Sequence, residues 1–280
     1  MRVFILGLDG LEYNIVNKHP ELENLRQKEY GKLRLLKECL IRTKEGDLTP
    51  YTPLVWSTIV TGRLPEETGL MVSQWDNKLL NLLKILTIKT GFDKLKGKGK
   101  ILELMGFKKI AWNKNNYYVK NVKTIFDLTS KSIQVNVPTV DLNWEIYFGK
   151  GLSITQIKNK AILEFINVSK EIKEEIKKDW ELFMGYTRLL DVFGHVAWNT
   201  QELLRMYQKA DTLVKELKEL IGDTCLFLIV SDHGMQRLEG TKHGGKHSLH
   251  AYYSSNIPLT LERPPAITDI FHIVKSFLSK

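Results

Sequence analysis

The sequence has little of what marks several specialised protein classes. Among 280 residues there are only two cysteines, Cys39 and Cys225, and neither belongs to a CxxC motif. Both lie in apolar runs and are predicted to be buried thiols, so no disulfide framework is expected and a reducing cytosol is the default compartment. The 8 prolines and 19 glycines exclude collagen-like and proline-rich chains.

Long hydrophobic runs are also absent from the sequence. No stretch reaches the roughly 18 apolar residues that a membrane span requires. The first ten residues, MRVFILGLDG, start with a charge and an apolar run, as a signal peptide does. That run ends at Asp9, too early for a signal peptide, and no small-residue cleavage site follows. We therefore expect a cytoplasmic chain with no membrane span.

What the sequence has in excess is positive charge. The 41 Lys and Arg residues oppose 32 Asp and Glu residues, which leaves a formal net charge of +9. This charge favours anionic partners, such as a small phosphate ester, a nucleotide, nucleic acid or phospholipid. Hydrophobic residues at 43% and charged residues at 26% are typical of a globular protein with a large core. Nothing in the sequence indicates an oligomeric state.

Apolar runs alternate with helical patterns along the chain. Strands are predicted at 2–8, 133–137, 182–190 and 225–230. Helices are predicted at 11–29, 54–62, 155–180, 201–221 and from about 267 to the end. Continuously apolar strands between helices predict an α/β fold with a mostly parallel sheet covered on both faces. We expect residues 1–280 to form one such domain.

The stretch 71–120 departs from this alternation. Between residues 84 and 109 there are eight lysines against two acids. We predict a small cap inserted over the sheet edge, and the simpler alternative is a solvated lysine-rich loop. A third alternative is a non-catalytic module that binds nucleic acid or anionic lipid through this stretch. Nucleic acid is the less favoured partner, because only Phe92 and Phe107 supply interleaved aromatic rings.

Acids and histidines follow three of the predicted strands, and four of the seven histidines lie between residues 233 and 250. Parallel strands bring their carboxyl ends to one edge of a sheet, where ligands bind. Imidazole and carboxylate together suit zinc, manganese or iron, and two metals about 4 Å apart need six or seven ligands. Each residue alone also fits a turn or helix cap; their joint occurrence favours a metal site. In chain order, the candidate metal ligands that follow these strands are Asp9, Asp191, His195, Asp232 and His233.

A candidate nucleophile precedes the predicted helix at 54–62. Thr52 places a hydroxyl at the helix N-terminus, where free backbone N–H groups and the helix dipole favour a phosphate. A metal at that point would lower the pKa of the hydroxyl. The simpler interpretation of Thr52 is a plain N-cap threonine.

Several segments, in the family's order, resemble the alkaline phosphatase superfamily and, within it, the type I phosphodiesterase/nucleotide pyrophosphatase branch. The resemblance implies an alkaline phosphatase-like three-layer sandwich with a two-metal site, usually zinc, with manganese or iron as alternatives. The segments are LGLDG (6–10), TPLVWSTIVTGRLPEETG (52–69), TIFDL (124–128), VNVP (135–138), DVFGH (191–195), SDHGM (231–235) and GKHSLHAYYSSN (245–256).

The resemblance also implies a role for each matching residue. Thr52 matches the nucleophile, and the last metal ligand is implied to be a histidine after SDHG. His247 fits the family's GxH spacing best, with His243 and His250 as alternatives. The implied metal ligands are Asp9, Thr52, Asp191, His195, Asp232, His233 and His247.

The sequence departs from the family pattern at two points. The family's PxxHG motif reads PEETG at 65–69, without the histidine. The branch also has an asparagine that holds the phosphoryl oxygen, and by spacing this position falls on Ser73. Asn77 is near enough to substitute for it, so both residues are substrate-binding candidates.

On this resemblance we expect a metal-dependent hydrolase of phosphate esters that acts through a covalent Thr-phosphoryl intermediate. A threonine nucleophile favours phosphodiesters or nucleotide pyrophosphate-type substrates over monoesters. The alternative on the same scaffold is a phosphotransferase or phosphomutase, which passes the phosphoryl group to a second hydroxyl.

Overall fold

The structure is a computed structural model, and it describes residues 1–43, 47–68, 70, 74–75, 109–110, 119, 122–140, 151–222, 224–259 and 263–279. The described strands are β1 (Arg2–Leu8), β2 (Glu29–Leu33), β3 (Leu40–Arg42), β4 (Leu48–Pro50), β5 (Gln74–Trp75), β6 (Lys109–Ile110), β7 (Ser132–Val135), β8 (Leu182–Thr187), β9 (Cys225–Ser231), β10 (Met235–Arg237), β11 (Gly245–His247) and β12 (Ala251–Ser255). The described α-helices are α1 (Tyr13–Lys18), α2 (Glu23–Arg26), α3 (Thr52–Thr61), α4 (Pro65–Thr68), α5 (Ile154–Glu175), α6 (Leu189–Val196), α7 (Gln201–Ile221) and α8 (Asp269–Leu278).

A six-stranded sheet forms the centre of the fold, with strand order β2-β12-β9-β1-β8-β7. The four strands β9, β1, β8 and β7 run parallel to one another. Strand β12 is antiparallel to both β9 and β2. The predicted mostly parallel sheet is therefore confirmed.

Both faces of the sheet are buried, because successive side chains of a strand point to opposite faces. On β1, Phe4 and Leu6 belong to a core with residues of α5, α6 and α7. Val3 and Ile5 belong to a second core with residues of α3 and α8. Helices thus cover the sheet on either side, and the predicted three-layer α/β arrangement is confirmed.

Two predicted elements differ from the structure. The single helix predicted at 11–29 is wrong: α1 ends at Lys18, shortly before Pro20, and α2 and β2 follow. The residue before a proline disfavours helical backbone, so the helix stops there. The strand predicted at 182–190 ends at Thr187, and the rest of its apolar run is the buried start of α6. A continuous apolar run does not distinguish a buried strand from a buried helix.

The predicted cap at 71–120 lies outside the described residues, apart from 74–75, 109–110 and 119. Within it, β5 pairs with β6 in antiparallel register, with Gln74 opposite Ile110. Among the helices in the described ranges, none combines the length and apolar character that crossing a membrane requires.

Candidate active site

The predicted catalytic and metal-binding side chains come together at the carboxyl edge of the parallel strands. Asp9 directly follows β1, and Asp232 and His233 directly follow β9. Asp191 and His195 were expected to follow a strand directly. They lie instead one turn apart on α6. Their i, i+4 spacing puts both on one face of that helix.

Asp9, Asp232 and His233 form the first ligand group, and their candidate ligand atoms all lie within 4.8 Å of one another. The Nε2 atom of His233 is 3.2 Å from Asp9 Oδ1 and 3.3 Å from Asp232 Oδ2. All three side chains are buried. Thr52 Oγ1 lies 3.3 Å from the same Nε2 atom, so a cation held by this group would be beside the threonine hydroxyl.

Asp191, His195 and His247 form the second ligand group, which also meets the 4.8 Å limit. The Nε2 atoms of His195 and His247 lie 3.2 Å and 3.3 Å from Asp191 Oδ1, and 3.0 Å from each other. Three ligand atoms therefore converge on one point. Of the three candidate histidines after SDHG, the structure places His247 in this group.

The two ligand groups are adjacent. Asp191 Oδ1 is 4.0 Å from His233 Nε2, and the rings of His233 and His247 stack with their centroids 3.6 Å apart. Two-metal hydrolytic sites hold their ions about 3.5–4 Å apart. The spacing of the groups is compatible with such a pair of ions.

Backbone carbonyl groups orient all three histidines. The Nδ1 atoms of His195, His233 and His247 lie 3.0, 3.1 and 3.2 Å from the carbonyl oxygens of Gly245, Gly234 and Pro50, respectively. A proton on Nδ1 donates to the carbonyl and leaves the Nε2 lone pair free to bind a metal. Each ring therefore presents Nε2 to the centre of the site.

Several carboxylate oxygens lack hydrogen-bond donors. Asp9 Oδ1, Asp191 Oδ1 and both oxygens of Asp232 are buried and accept no hydrogen bond from any residue that the structure describes. An unsatisfied buried polar group costs about 1–3 kcal/mol, and more when it is charged. Carboxylate and imidazole ligands suit zinc, manganese and iron. The residues present therefore fit a pair of divalent cations.

The electrostatics of the groups agree with this fit. Burial and the charge of Asp9 raise the pKa of Asp232 well above its usual range. Burial opposes ionisation of Asp191, but the charge of His195 and the close approach of the His195 and His247 rings to Oδ1 hold its pKa well below the usual value. Burial disfavours the charged form of His233, yet Asp232 and Asp9 raise its pKa to about 10. A cation would displace these protons, as metal binding to such ligands does.

The environment of Thr52 differs from the expected one in one respect. Thr52 is the first residue of α3 rather than a residue before the helix, and Tyr51 is the N-cap. The first turn offers few free amides, because Pro53 has none and Leu54 N and Val55 N both donate to Tyr51 O. The prediction of free N–H groups at this point is wrong, and what remains is the positive end of the helix dipole.

Other candidate residues lie apart from the two groups. His250 Nε2 lies 3.2 Å from Glu12 Oε1, and His243 is exposed between β10 and β11. Ser73 and Asn77, the predicted substrate-binding residues, lie outside the described residues.

Sequence reasoning missed two buried residues beside the site. The Tyr186 hydroxyl donates to Asp9 Oδ2, and Glu12 joins the loops that carry the ligands. In the sequence, Tyr186 resembles any residue of a buried strand, and Glu12 resembles a charged residue of the helix predicted there. No local signal distinguishes either one.

Comparison with known families identifies the class to which this fold and site belong. The profile of the type I phosphodiesterase / nucleotide pyrophosphatase family matches residues 3–266, a range that includes both ligand groups and Thr52. The chain therefore belongs to that family, a branch of the alkaline phosphatase superfamily. Membership of this family implies divalent metal ions.

Similar solved structures include those of murine and human ectonucleotide pyrophosphatase / phosphodiesterase 5. The murine protein is 14% identical, with a TM-score of 0.49, over 86% of this chain and 59% of that one. The human protein is 15% identical, with a TM-score of 0.48, over 85% and 58%. An inactive murine variant, with threonine replaced by alanine and in complex with AMP, is 13% identical, with a TM-score of 0.49, over 86% and 59%. The chain thus spans less than two thirds of the length of these proteins. A comparison with curated proteins found no match.

Proposed function

We propose that this chain is a metal-dependent hydrolase of phosphodiesters or nucleotide pyrophosphate-type substrates, with Thr52 as its nucleophile. The observation that carries the proposal is the position of the Thr52 hydroxyl, 3.3 Å from His233 Nε2 and beside two adjacent carboxylate–histidine groups. A lone N-cap threonine has no such neighbours.

Each ligand group would bind one of the two cations. Asp9, Asp232 and His233 would hold the cation beside Thr52, and Asp191, His195 and His247 would hold the second. When bound, the cations, most simply zinc, lower the pKa of the hydroxyl and stabilise the charge that develops on the leaving oxygen. The Nδ1 contacts with backbone carbonyls keep the rings in place throughout.

The reaction proceeds in two displacements at phosphorus. Thr52 loses its proton to solvent, its Oγ1 forms a bond to phosphorus, and the bond from phosphorus to the leaving oxygen breaks. That oxygen takes up a proton from solvent and departs as the alcohol. Water then attacks the Thr-phosphoryl intermediate, which releases a phosphate monoester and restores the hydroxyl. The sum is a diester plus water giving a monoester plus an alcohol.

The surroundings of Thr52 support a diester over a monoester. A monoester carries an additional negative charge, which a nearby arginine would neutralise. Arg63, the first arginine after Thr52, lies beyond the far end of α3 and pairs with Glu67 at 3.8 Å, and Arg42, which precedes Thr52, is exposed at the end of β3. A ten-residue helix is about 15 Å long, so Arg63 lies too far from Thr52 for this role.

The test combines metal analysis with a panel of chromogenic phosphodiesters and phosphomonoesters. We expect about two zinc, manganese or iron ions per chain and faster turnover of diesters. Thr52→Ala is expected to lose nearly all turnover and keep its metals. Thr61→Ala is the matched control, since Thr61 is a buried threonine at the other end of α3 that donates only to Ser57 O in its own helix.

Two results would overturn the proposal: full turnover by Thr52→Ala, or a protein that binds no divalent metal. Hydrolysis in ¹⁸O-labelled water separates hydrolysis from phosphoryl transfer. Hydrolysis adds one labelled oxygen to the monoester product, whereas transfer to a second hydroxyl adds none.

A further inference from the structure

Glu12 is a buried carboxylate outside both ligand groups, with only 2% of its surface exposed. Its Oε1 atom accepts hydrogen bonds from Asn14 N at 3.0 Å and Asn14 Nδ2 at 2.7 Å, and lies 3.2 Å from His250 Nε2. Its Oε2 atom accepts from Met235 N at 2.9 Å and Ser248 Oγ at 3.1 Å. A carboxylate with five such neighbours is fully engaged, although none of them belongs to either ligand group.

Glu12, Met235 and Ser248 lie in or directly beside three loops that carry or adjoin predicted ligands, and Met235 itself begins β10. Glu12 is three residues after Asp9, Met235 is two residues after His233, and Ser248 directly follows His247. The loop of Glu12 is far in sequence from the other two loops, which the β10–β11 hairpin joins, and all three meet at this carboxylate. Glu12 therefore connects residues of both ligand groups.

The loops also close directly around Glu12. Gly234 N donates to His250 O at 2.7 Å, and Ser248 N donates to Gly234 O at 2.9 Å. A Cβ atom at Gly234 would overlap Glu12 Oε2, so only a glycine lets this loop approach the carboxylate. On the other side, Glu12 N donates to the Tyr207 hydroxyl of α7 at 2.9 Å, which anchors the residue to the core.

We propose that Glu12 is a positioning residue that holds the loops of Asp9, Asp232–His233 and His247 at the spacing that two divalent cations require. The proposal rests on the proposed function, since it takes those residues to bind metal. Metal sites tolerate deviations of only about 0.5 Å in their ligands. A single buried acceptor shared by three loops supplies that precision.

Glu12 is ionised at neutral pH, as this role requires. Burial opposes its charge, but hydrogen bonds from His250 and the Asn14 amide, followed by the charge of His250, bring the pKa of Glu12 below its usual value. Glu12→Gln would replace one oxygen with an NH₂ group that faces hydrogen-bond donors. The loops would then lose part of their common attachment, with almost no change in volume.

The test compares Glu12→Gln with Asp211→Asn. Asp211 is also a buried carboxylate, but it joins α7 to α2, accepting from Asn24 Nδ2 and Leu25 N at 2.9 Å each. The assays are zinc titration of metal-stripped protein against a chelating dye, the visible spectrum of the cobalt form, and the melting temperature in EDTA. We expect Glu12→Gln to weaken at least one zinc site by about 10–100-fold and to alter the cobalt spectrum. Asp211→Asn should lower the melting temperature and leave both metal readouts unchanged.

Three results would overturn the inference. One is zinc binding by Glu12→Gln with wild-type affinity and a wild-type cobalt spectrum. Another is a loss of zinc affinity in Asp211→Asn by the same factor as in Glu12→Gln. If Glu12→Gln does not fold, Ser248→Ala removes a single hydrogen bond to Oε2 and should weaken zinc binding about fivefold; an unchanged affinity would count against the role. A wild-type protein that binds no divalent metal would instead overturn the proposed function itself.

Discussion

Replacing Tyr186 with phenylalanine removes one hydroxyl from the support of the first ligand group. Tyr186 is completely buried, and its ring packs edge-on against Trp56 with centroids 5.3 Å apart. Its hydroxyl donates to Asp9 Oδ2. Phenylalanine keeps the ring and its packing, so the change isolates this hydrogen bond.

The expected loss of stability follows from the buried, charged acceptor. A hydrogen bond to a charged group contributes about 1.5–3 kcal/mol. A change of 1 kcal/mol moves the melting temperature of a chain of this order of size by about 2–4 °C, so Tyr186→Phe should melt roughly 3–12 °C lower in EDTA. Asp9 also becomes free to rotate. Metal affinity should fall about 10–100-fold. In excess zinc the variant should therefore lose about 1.4–2.8 kcal/mol more unfolding free energy than it loses in EDTA.

Thermal unfolding of the variant in EDTA and in excess zinc measures both effects. Tyr253→Phe is the matched control, because the Tyr253 hydroxyl donates to a carboxylate of Glu29 at 3.0 Å, outside both ligand groups. The control should lose the same stability in both conditions. A Tyr186→Phe variant that melts like the wild type in EDTA, or whose deficit does not grow in zinc, would refute the reasoning.

Three further predictions concern packing, metal and charge. Gly7→Ala would place Cβ 2.9 Å from Trp56 Cη2 and 3.1 Å from Tyr186 Cδ2, and should lower the free energy of unfolding by about 1–3 kcal/mol in urea; an unchanged midpoint would contradict this packing. Stripping the wild type with EDTA should abolish turnover and lower the melting temperature, and zinc should restore both, whereas full activity after stripping would contradict a metal site. Neutralising the four lysines between residues 94 and 100 should lower kcat/KM at low salt and leave kcat unchanged, because steering acts on association; steady-state kinetics that show equal kcat/KM would favour a plain solvated loop.

Local patterns were enough to predict the layers of the fold and the grouping of the site side chains. The apolar runs at 2–8 and 225–230 became adjacent parallel strands, so the residues after them meet at one edge. Asp191 and His195 lie on α6 rather than directly after a strand, but their four-residue spacing still brings them together, because it equals about one turn of a helix. The roles of these side chains as ligands and nucleophile stay predictions.

The rest depended on contacts between residues remote in sequence. Tyr186 meets Asp9 only because β8 pairs with β1, and Glu12 meets Ser248 only because the loops after β9 and β11 fold over it. At the start of α3, Leu54 N and Val55 N donate to Tyr51 O within the same turn, and helix propensities do not predict this pairing. Pairing across the sheet therefore decides which polar groups support the site.

The position of β1 in the sheet has a consequence for the synthesis of the protein. The strand RVFILGL is made long before its partners: Val3 pairs with Leu182 on one side and Leu226 on the other. At about 5–20 residues per second, the ribosome needs roughly 10–35 s to reach the first of these partners. Throughout that interval β1 is an apolar segment with both edges unpaired, the condition that promotes strand-to-strand aggregation. Newly made chains should therefore depend on chaperones that cover β1 until β8 and β9 have left the ribosome.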